Sequence, residues 1–205
     1  NTIQNTIRST LGDDAFNILD LFTGGRQGVW YDPSDLATMF QESTGNTPVT
    51  ADGQPVGLML DKSRGDLFGD ELVTNGTFDT DSGWQLYTGW EITGGKLKSV
   101  SDSGNYAVDI GNVFESNKMY EITYTISDYV SGVLRVLVGA SRYLASHNAD
   151  GVYTQRHITS GYTLANSYLY FHGPSFEGSI DNVSVKELIG IPATQSTASQ
   201  RPTYN

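Results

Sequence analysis

The sequence contains no cysteine, which removes disulfides and thiolate metal sites from consideration. It has no apolar run approaching the roughly 18 residues that a membrane-spanning helix needs. Basic side chains are scarce: 12 Lys and Arg stand against 23 Asp and Glu, for a net charge of −11. At that charge phosphate repulsion opposes wrapping around nucleic acid. The acidity suits an exposed surface or a site that takes a hard cation, with solubility alone as the plainer reading. Histidine is limited to His147, His157 and His172, and none has the H-x-x-x-H spacing of a metal pair. There is no G-x-S-x-G elbow, and "GDLFGDE" lacks the lysine of a phosphate-cradling loop. Asp13/Asp14 and Asp79/Asp81 are close in sequence, which is not the facing geometry a glycosidase requires. The chain reads as non-enzymatic. It starts at Asn1 and not at Met, so it is expected to be a processed or partial product.

Glycine and tyrosine are what the 205 residues have in excess, with 23 and 12 copies, while only 17% of residues are charged. That balance belongs to an all-β protein whose surface relies on Ser, Thr, Asn, Gly and Tyr. From residue 72 onward, "LVTNGTF", "WEITGGKLKSV", "NYAVDIG", "MYEITYTISDY", "VLRVLVG", "VYTQRHIT", "SYLYFHG" and "GSIDNVSV" read as short strands between turn residues. In "YEITYTI", Tyr120, Ile122, Tyr124 and Ile126 share one face against Glu121, Thr123 and Thr125. Such strands with no long helix between them predict an antiparallel jelly-roll sandwich over 70–188. Within "FEGSIDNVSV", Asp181 and Asn182 stand where a short strand would begin, and strands avoid both residue types.

Ahead of the sandwich the reading is less regular. Residues 1–27 form an anchoring segment, in which Ile3, Ile7 and Leu11 recur at helical spacing and Asp13 caps a short helix over "AFNILDLF". Residues 28–69 are dense in turn signals, including Asp32-Pro33, Thr44-Gly45 and Asp52-Gly53. Short strands are expected there at "VWYD", "PVT" and "VGLML", with a helical turn in "PSDLATMFQ". Residues 189–205 read as an extended linker. The whole is an all-β sandwich inserted into a small irregular base with a short N-terminal helix.

Two resemblances follow from the wording. "GVWYDPSDLATMFQESTGNTPVTADGQPVGLMLDKS" (28–63) together with "ATQSTASQRPTY" (193–204) resembles a connector segment of tailed-bacteriophage structural proteins. In that family the two pieces run on continuously, so the sandwich looks inserted between them. The insert, through "ELVTNGTFDTDSGWQLYTGWEITGGKLKS", "KMYEITYTIS" and "GSIDNVSVKEL", is similar to carbohydrate-binding modules of the galactose-binding-like type.

These resemblances imply a virion surface protein, as a fibre, spike or head-decoration component. Its partners would be other capsid or tail subunits and identical copies, with a trimer suggested by the N-terminal stretch. The module implies host cell-surface glycan as a ligand; a purely structural spacer is the competing reading. It also implies a structural calcium held by Asp79 and Asp181 with carbonyls around Asn75 to Thr77, because hard cations need six to eight oxygens. The bland alternative is that Asp181 caps a turn. Candidate glycan contacts are the aromatic and polar side chains Trp84, Tyr129, Arg142, Tyr143, His147 and Tyr153, with Tyr87, Trp90 and Asn148 beside them. For Trp84 and Trp90 the alternative is core packing, and "SRYLASHNADGVY" reads as a polar loop.

Overall fold

The computed structural model describes residues 17–24, 26–65, 67–100, 106–109, 112–139, 142–159, 167–190 and 192–205. The expected features at Ile3, Ile7, Leu11 and Asp13 lie outside the described residues. In place of a longer helix, the described N-terminal stretch makes a 3-10 turn over Ile18–Phe22, with the Asn17 side chain accepting from Leu19 N–H. No residue of that turn is buried.

Among the described residues the strands are β1 (Met39–Phe40), β2 (Leu58–Met59), β3 (Phe68–Glu71), β4 (Trp84–Leu86), β5 (Trp90–Thr93), β6 (Lys96–Ser99), β7 (Tyr106–Asp109), β8 (Met119–Ser131), β9 (Leu134–Val138), β10 (Arg142–His147), β11 (Gly151–Ile158), β12 (Leu169–His172), β13 (Glu177–Leu188) and β14 (Ala193–Thr194). One sheet has the order β10-β9-β12-β7-β4; the other runs β11-β8-β13-β6-β5 with β3 also pairing β13. Every named pair is antiparallel. The all-β sandwich predicted from the sequence is therefore the observed architecture. Alternation explains it locally: Tyr120, Ile122, Tyr124 and Ile126 of β8 are all buried, while Thr123 and Thr125 face out. Opposite them in the core lie Leu134, Val136 and Val138 of β9 and Leu169 and Phe171 of β12.

Two local expectations are corrected. "LVTNGTF" is a turn, not a strand; the pairing segment is "FGDE" just before it, as β3. Residues 142–147 of the supposed polar loop form β10, an edge strand with a bulge between Tyr143 and Ala145. Polar residues are normal on edge strands, where they discourage pairing with other chains.

The connector pieces fold together. β14 pairs with β2, and β2 pairs with β1. Beyond that short sheet, Val56 N–H donates to the Pro202 carbonyl at 2.8 Å and Gly53 N–H to the Tyr204 carbonyl at 2.8 Å. The expected strand at "VWYD" does not form, and "PVT" contributes only an isolated bridge from Pro48 to Phe40. Phe40 is buried with Leu58, Leu60, Met119 and Leu188 in a small core shared by base and sandwich. Its ring is therefore covered by its own chain.

Candidate functional site

Strand order, not sequence order, creates the most distinctive surface. In the five-stranded sheet the residues facing the other sheet include Trp84, Ala107, Leu169, Phe171, Val136 and Val138, all buried. The intervening residues point to solvent. Cross-strand register aligns Tyr143, Leu137 and Tyr170, and on the far side of β7 Gln85, in one outward row. A second row aligns Ser146, Arg135, His172 and Tyr106. Tyr87 extends it, its N–H donating to the Tyr106 carbonyl at 3.1 Å.

The rings on this face touch one another. Tyr106 stacks on His172 with centroids 4.5 Å apart and an interplanar angle of 22°. Tyr170 meets Tyr106 edge-on at 5.8 Å, and Tyr168 lies 6.5 Å from Tyr170. Such contacts hold the rings in place while leaving them half-exposed. Tyr106, Tyr170, His172 and Arg135 were not singled out from the sequence. Alternation in "LYFH" and "LRVLV" shows that Tyr170, His172 and Arg135 fall off the apolar face, but no sequence signal says that β9, β12 and β7 are neighbours.

The residues expected from the sequence are distributed differently. Tyr143 sits on the solvent face, opposite Leu137 and 55% exposed. His147, four residues on but past the bulge, lies opposite buried Leu134. It stacks on Tyr153 at 3.7 Å, and its Nε2 is 2.8 Å from the Tyr124 hydroxyl. Burial lowers the His147 pKa, which keeps the ring uncharged at neutral pH, and burial pushes the Tyr124 hydroxyl far above its ordinary value. Tyr153 donates its hydroxyl to the Ala149 carbonyl at 2.9 Å. Tyr129 is half-buried, packs 6.3 Å from Phe176 and donates to the Gly132 carbonyl at 3.0 Å. Arg142 pairs with Val138 at the start of β10.

Trp84 requires a correction. It is 6% exposed, stacked on Phe171 at 5.8 Å and 19° and tilted against Phe78 at 5.1 Å. Its indole N–H donates to the Asn75 carbonyl at 3.2 Å. No ring face is left for a sugar. Trp90 is likewise buried, stacked on Phe176 at 6.4 Å.

Asp181 is not at the mouth of a strand but inside β13, at a bulge between Asp181 and Ser184. Asn182 takes the left-handed conformation there, φ 52°, which Asn tolerates better than most residues. The bulge frees Val183 N–H to donate to the Gly76 carbonyl at 2.9 Å. A Cβ at Gly76 would lie 1.9 Å from the Val183 carbonyl oxygen, so only glycine permits this approach. The Asp181 carboxylate accepts from Asn182 N–H at 2.6 Å, and Asp79 accepts from the Thr77 hydroxyl at 2.6 Å. Among the described residues no group of three His, Cys, Asp or Glu gathers as a metal site. The Asn75 carbonyl already accepts from Trp84 and Phe78, and that of Gly76 from Val183. These donors fit a capped turn more closely than the oxygen shell of a hard cation. One measurement decides between calcium at Asp79 and Asp181 and a capped turn. The expected result is the same melting temperature in calcium and in EDTA. A rise with calcium that is lost in Asp181→Asn would establish the clasp, because a ligand of the folded state stabilises it by mass action.

No family model matches the chain, and no curated protein does. Among solved structures it is similar to the CBM22-1 xylan-binding domain from Paenibacillus barcinonensis Xyn10C, at 15% identity and TM-score 0.43, over 60% of this chain and 97% of that one. The CBM22-1-CBM22-2 tandem domain of the same protein matches at 15% identity and TM-score 0.44, over 64% of this chain and 49% of that one. The CBM22-1-GH10 modules of Clostridium thermocellum Xyn10B, complexed with xylohexaose, match at 12% identity and TM-score 0.40, over 58% of this chain and 28% of that one.

Proposed function

We propose that this chain is a non-catalytic carbohydrate-binding protein, and that glycan lies across the open face of its five-stranded sheet. The observation that carries the reading is the mutually packed set of Tyr106, His172 and Tyr170 on that face. Sugars present apolar ring faces that stack on aromatic side chains, and polar groups alone barely outcompete water for their hydroxyls. Gln85, Arg135 and Ser146 are exposed beside the rings and supply donors and acceptors for those hydroxyls. From Tyr143 on β10 to Gln85 on β4 the face crosses four inter-strand gaps, about 19 Å. That length suits an extended oligosaccharide better than a single sugar. Tyr143 stands at one end of it.

Tyr106→Ala is expected to weaken binding by about 2 kcal/mol, roughly thirtyfold, as buried aromatic anchors commonly do. The circular dichroism spectrum should not change, since the ring is on the solvent side of the sheet. Tyr143→Ala should cost less. The measurement is retention on a glycan array or on host surface polysaccharide. Full affinity in Tyr106→Ala, with loss in Tyr153→Ala, would move the site to the sheet edge. No glycan retention by the intact protein would support the spacer reading.

The setting we propose is the surface of a tailed phage or phage-like particle, with the chain as a fibre, spike or decoration component beside other subunits. Support comes from the connector wording at 28–63 and 193–204. The location of the chain in a particle reconstruction decides it.

A further inference from the structure

Five of the 12 basic side chains are committed to partners. Lys62 bridges Asp32 and Asp35, Lys96 reaches Asp128, Lys118 reaches Glu187, and Arg156 pairs with Glu121. Arg201 gives its guanidinium to carbonyls of Gln195, Ser196 and Gln41. Arg135, like Arg26, Arg64, Lys98 and Lys186, has no such partner among the described residues, and of these five it is the one on the five-stranded sheet. It is exposed, and among the described residues it has neither an ion pair nor a hydrogen-bonded side-chain partner. Register places it directly beside His172, whose ring stacks on Tyr106.

The two outer faces of the sandwich also differ in how their charges are arranged. On the outer side of the six-stranded sheet carboxylates and cations oppose each other in register, Glu91 across from Lys98 and Glu121 across from Arg156 and Lys186, with Asp181 nearby. The described side chains in the two outward rows of the five-stranded sheet include Arg135 and no carboxylate. A carboxylated ligand would meet cations already opposed by carboxylates at the first face and an unopposed guanidinium at the second. Screening confines the remaining negative charge of the chain to within about 8–10 Å of its sources.

From this juxtaposition we infer that the aromatic face takes an acidic polysaccharide, a uronic-acid polymer in chemical class, with Arg135 pairing the sugar carboxylate. The inference rests on the glycan reading of the same face. A guanidinium presents two parallel N–H donors that match a carboxylate, and charge-assisted bonds are about twice as strong as neutral ones. Tyr106 and Tyr170 supply the stacking surface, and the guanidinium selects for charge.

The test is affinity electrophoresis of the intact 205-residue chain through polygalacturonate, alginate and hyaluronan. Each is compared with its carboxyl-reduced, neutral form. An acidic polymer should bind about tenfold or more tightly than its reduced form, and the difference should shrink as salt rises. Arg135→Gln should abolish that preference while retaining stacking-dependent binding, which Tyr106→Ala removes. Equal binding of acidic and reduced forms, or a preference that survives Arg135→Gln, overturns the inference and leaves the glycan reading standing. Binding of neutral polymers alone does the same. Retention of no polymer of either class overturns both.

Discussion

Trp84→Ala is expected to destabilise the chain by about 3–5 kcal/mol, a fall in melting temperature of roughly 6–20 °C for a protein of this size. Three losses combine. The cavity would open between Phe78 and Phe171, whose rings sandwich the indole at 5.1 and 5.8 Å. The Asn75 carbonyl would lose the indole donor at 3.2 Å. The turn itself would loosen, because Asn75 and Phe78 both have positive φ, 61° and 54°. For a bulky residue such as Phe78 that conformation persists only while surrounding packing imposes it. Trp84→Phe should recover most of the packing but not the hydrogen bond, and so fall between the two. Thermal unfolding of both variants beside Tyr106→Ala separates core from site. Loss of glycan affinity in Trp84→Phe at unchanged stability would return this ring to the binding surface.

The tryptophan shows where sequence reading reaches its limit. A Trp in a glycine-rich, sugar-module-like stretch is equally consistent with a core residue and a sugar platform, and only its neighbours decide. β4 is short and lies at the sheet edge, yet its register with β7 turns Trp84 inward and Gln85 outward. Where alternation was clean, as in β8, the buried face could be read directly. The inserted sandwich class could be read for the same reason. β10 was missed because Arg, Ser and His on an edge strand look like a loop, and the bulge after Tyr143 breaks the alternation that would have revealed it. The aromatic face could not be read at all as a unit. Tyr106 and Tyr170 are far apart in sequence, and the intervening strands β8, β10 and β11 are not between them in space. Asp181 and Asn182 raised the right suspicion for a different reason: the residue pair marks a bulge, which the sequence presented as an interrupted strand start.

Arg156→Ala is expected to cost a further about 3–5 kcal/mol, by a mechanism that joins the base to the sandwich. The Arg156 and Glu121 side chains are only 14% and 20% exposed and form an ion pair across β11 and β8. On its other side the guanidinium donates to the Gly45 carbonyl at 2.6 Å and covers the Phe40 ring at 4.1 Å. The backbone N–H of Arg156 donates to the Asn46 side chain at 2.7 Å, so the connector also caps the free edge of β11. Truncation would leave Glu121 largely buried without its cation, uncover Phe40 and release the 42–46 turn. Arg156→Lys keeps the charge but not the planar fork, and should restore only part of the loss. Replacing both partners, as in Glu121→Leu with Arg156→Met, should be far milder than either single truncation, since no unpaired charge remains. The pair already has a weakness: Arg156 Nε is buried and finds no acceptor among the described residues. Hydrogen exchange gives the second readout. In Arg156→Ala, amides of residues 39–60 should lose protection before those of β8 and β13, because the shared core of Phe40, Leu58, Leu60, Met119 and Leu188 would open from the connector side. A melting temperature within about 2 °C of the native chain would instead give the pair the small value of an exposed ion pair. The base would then be held by its apolar contacts and its backbone ladder to the tail.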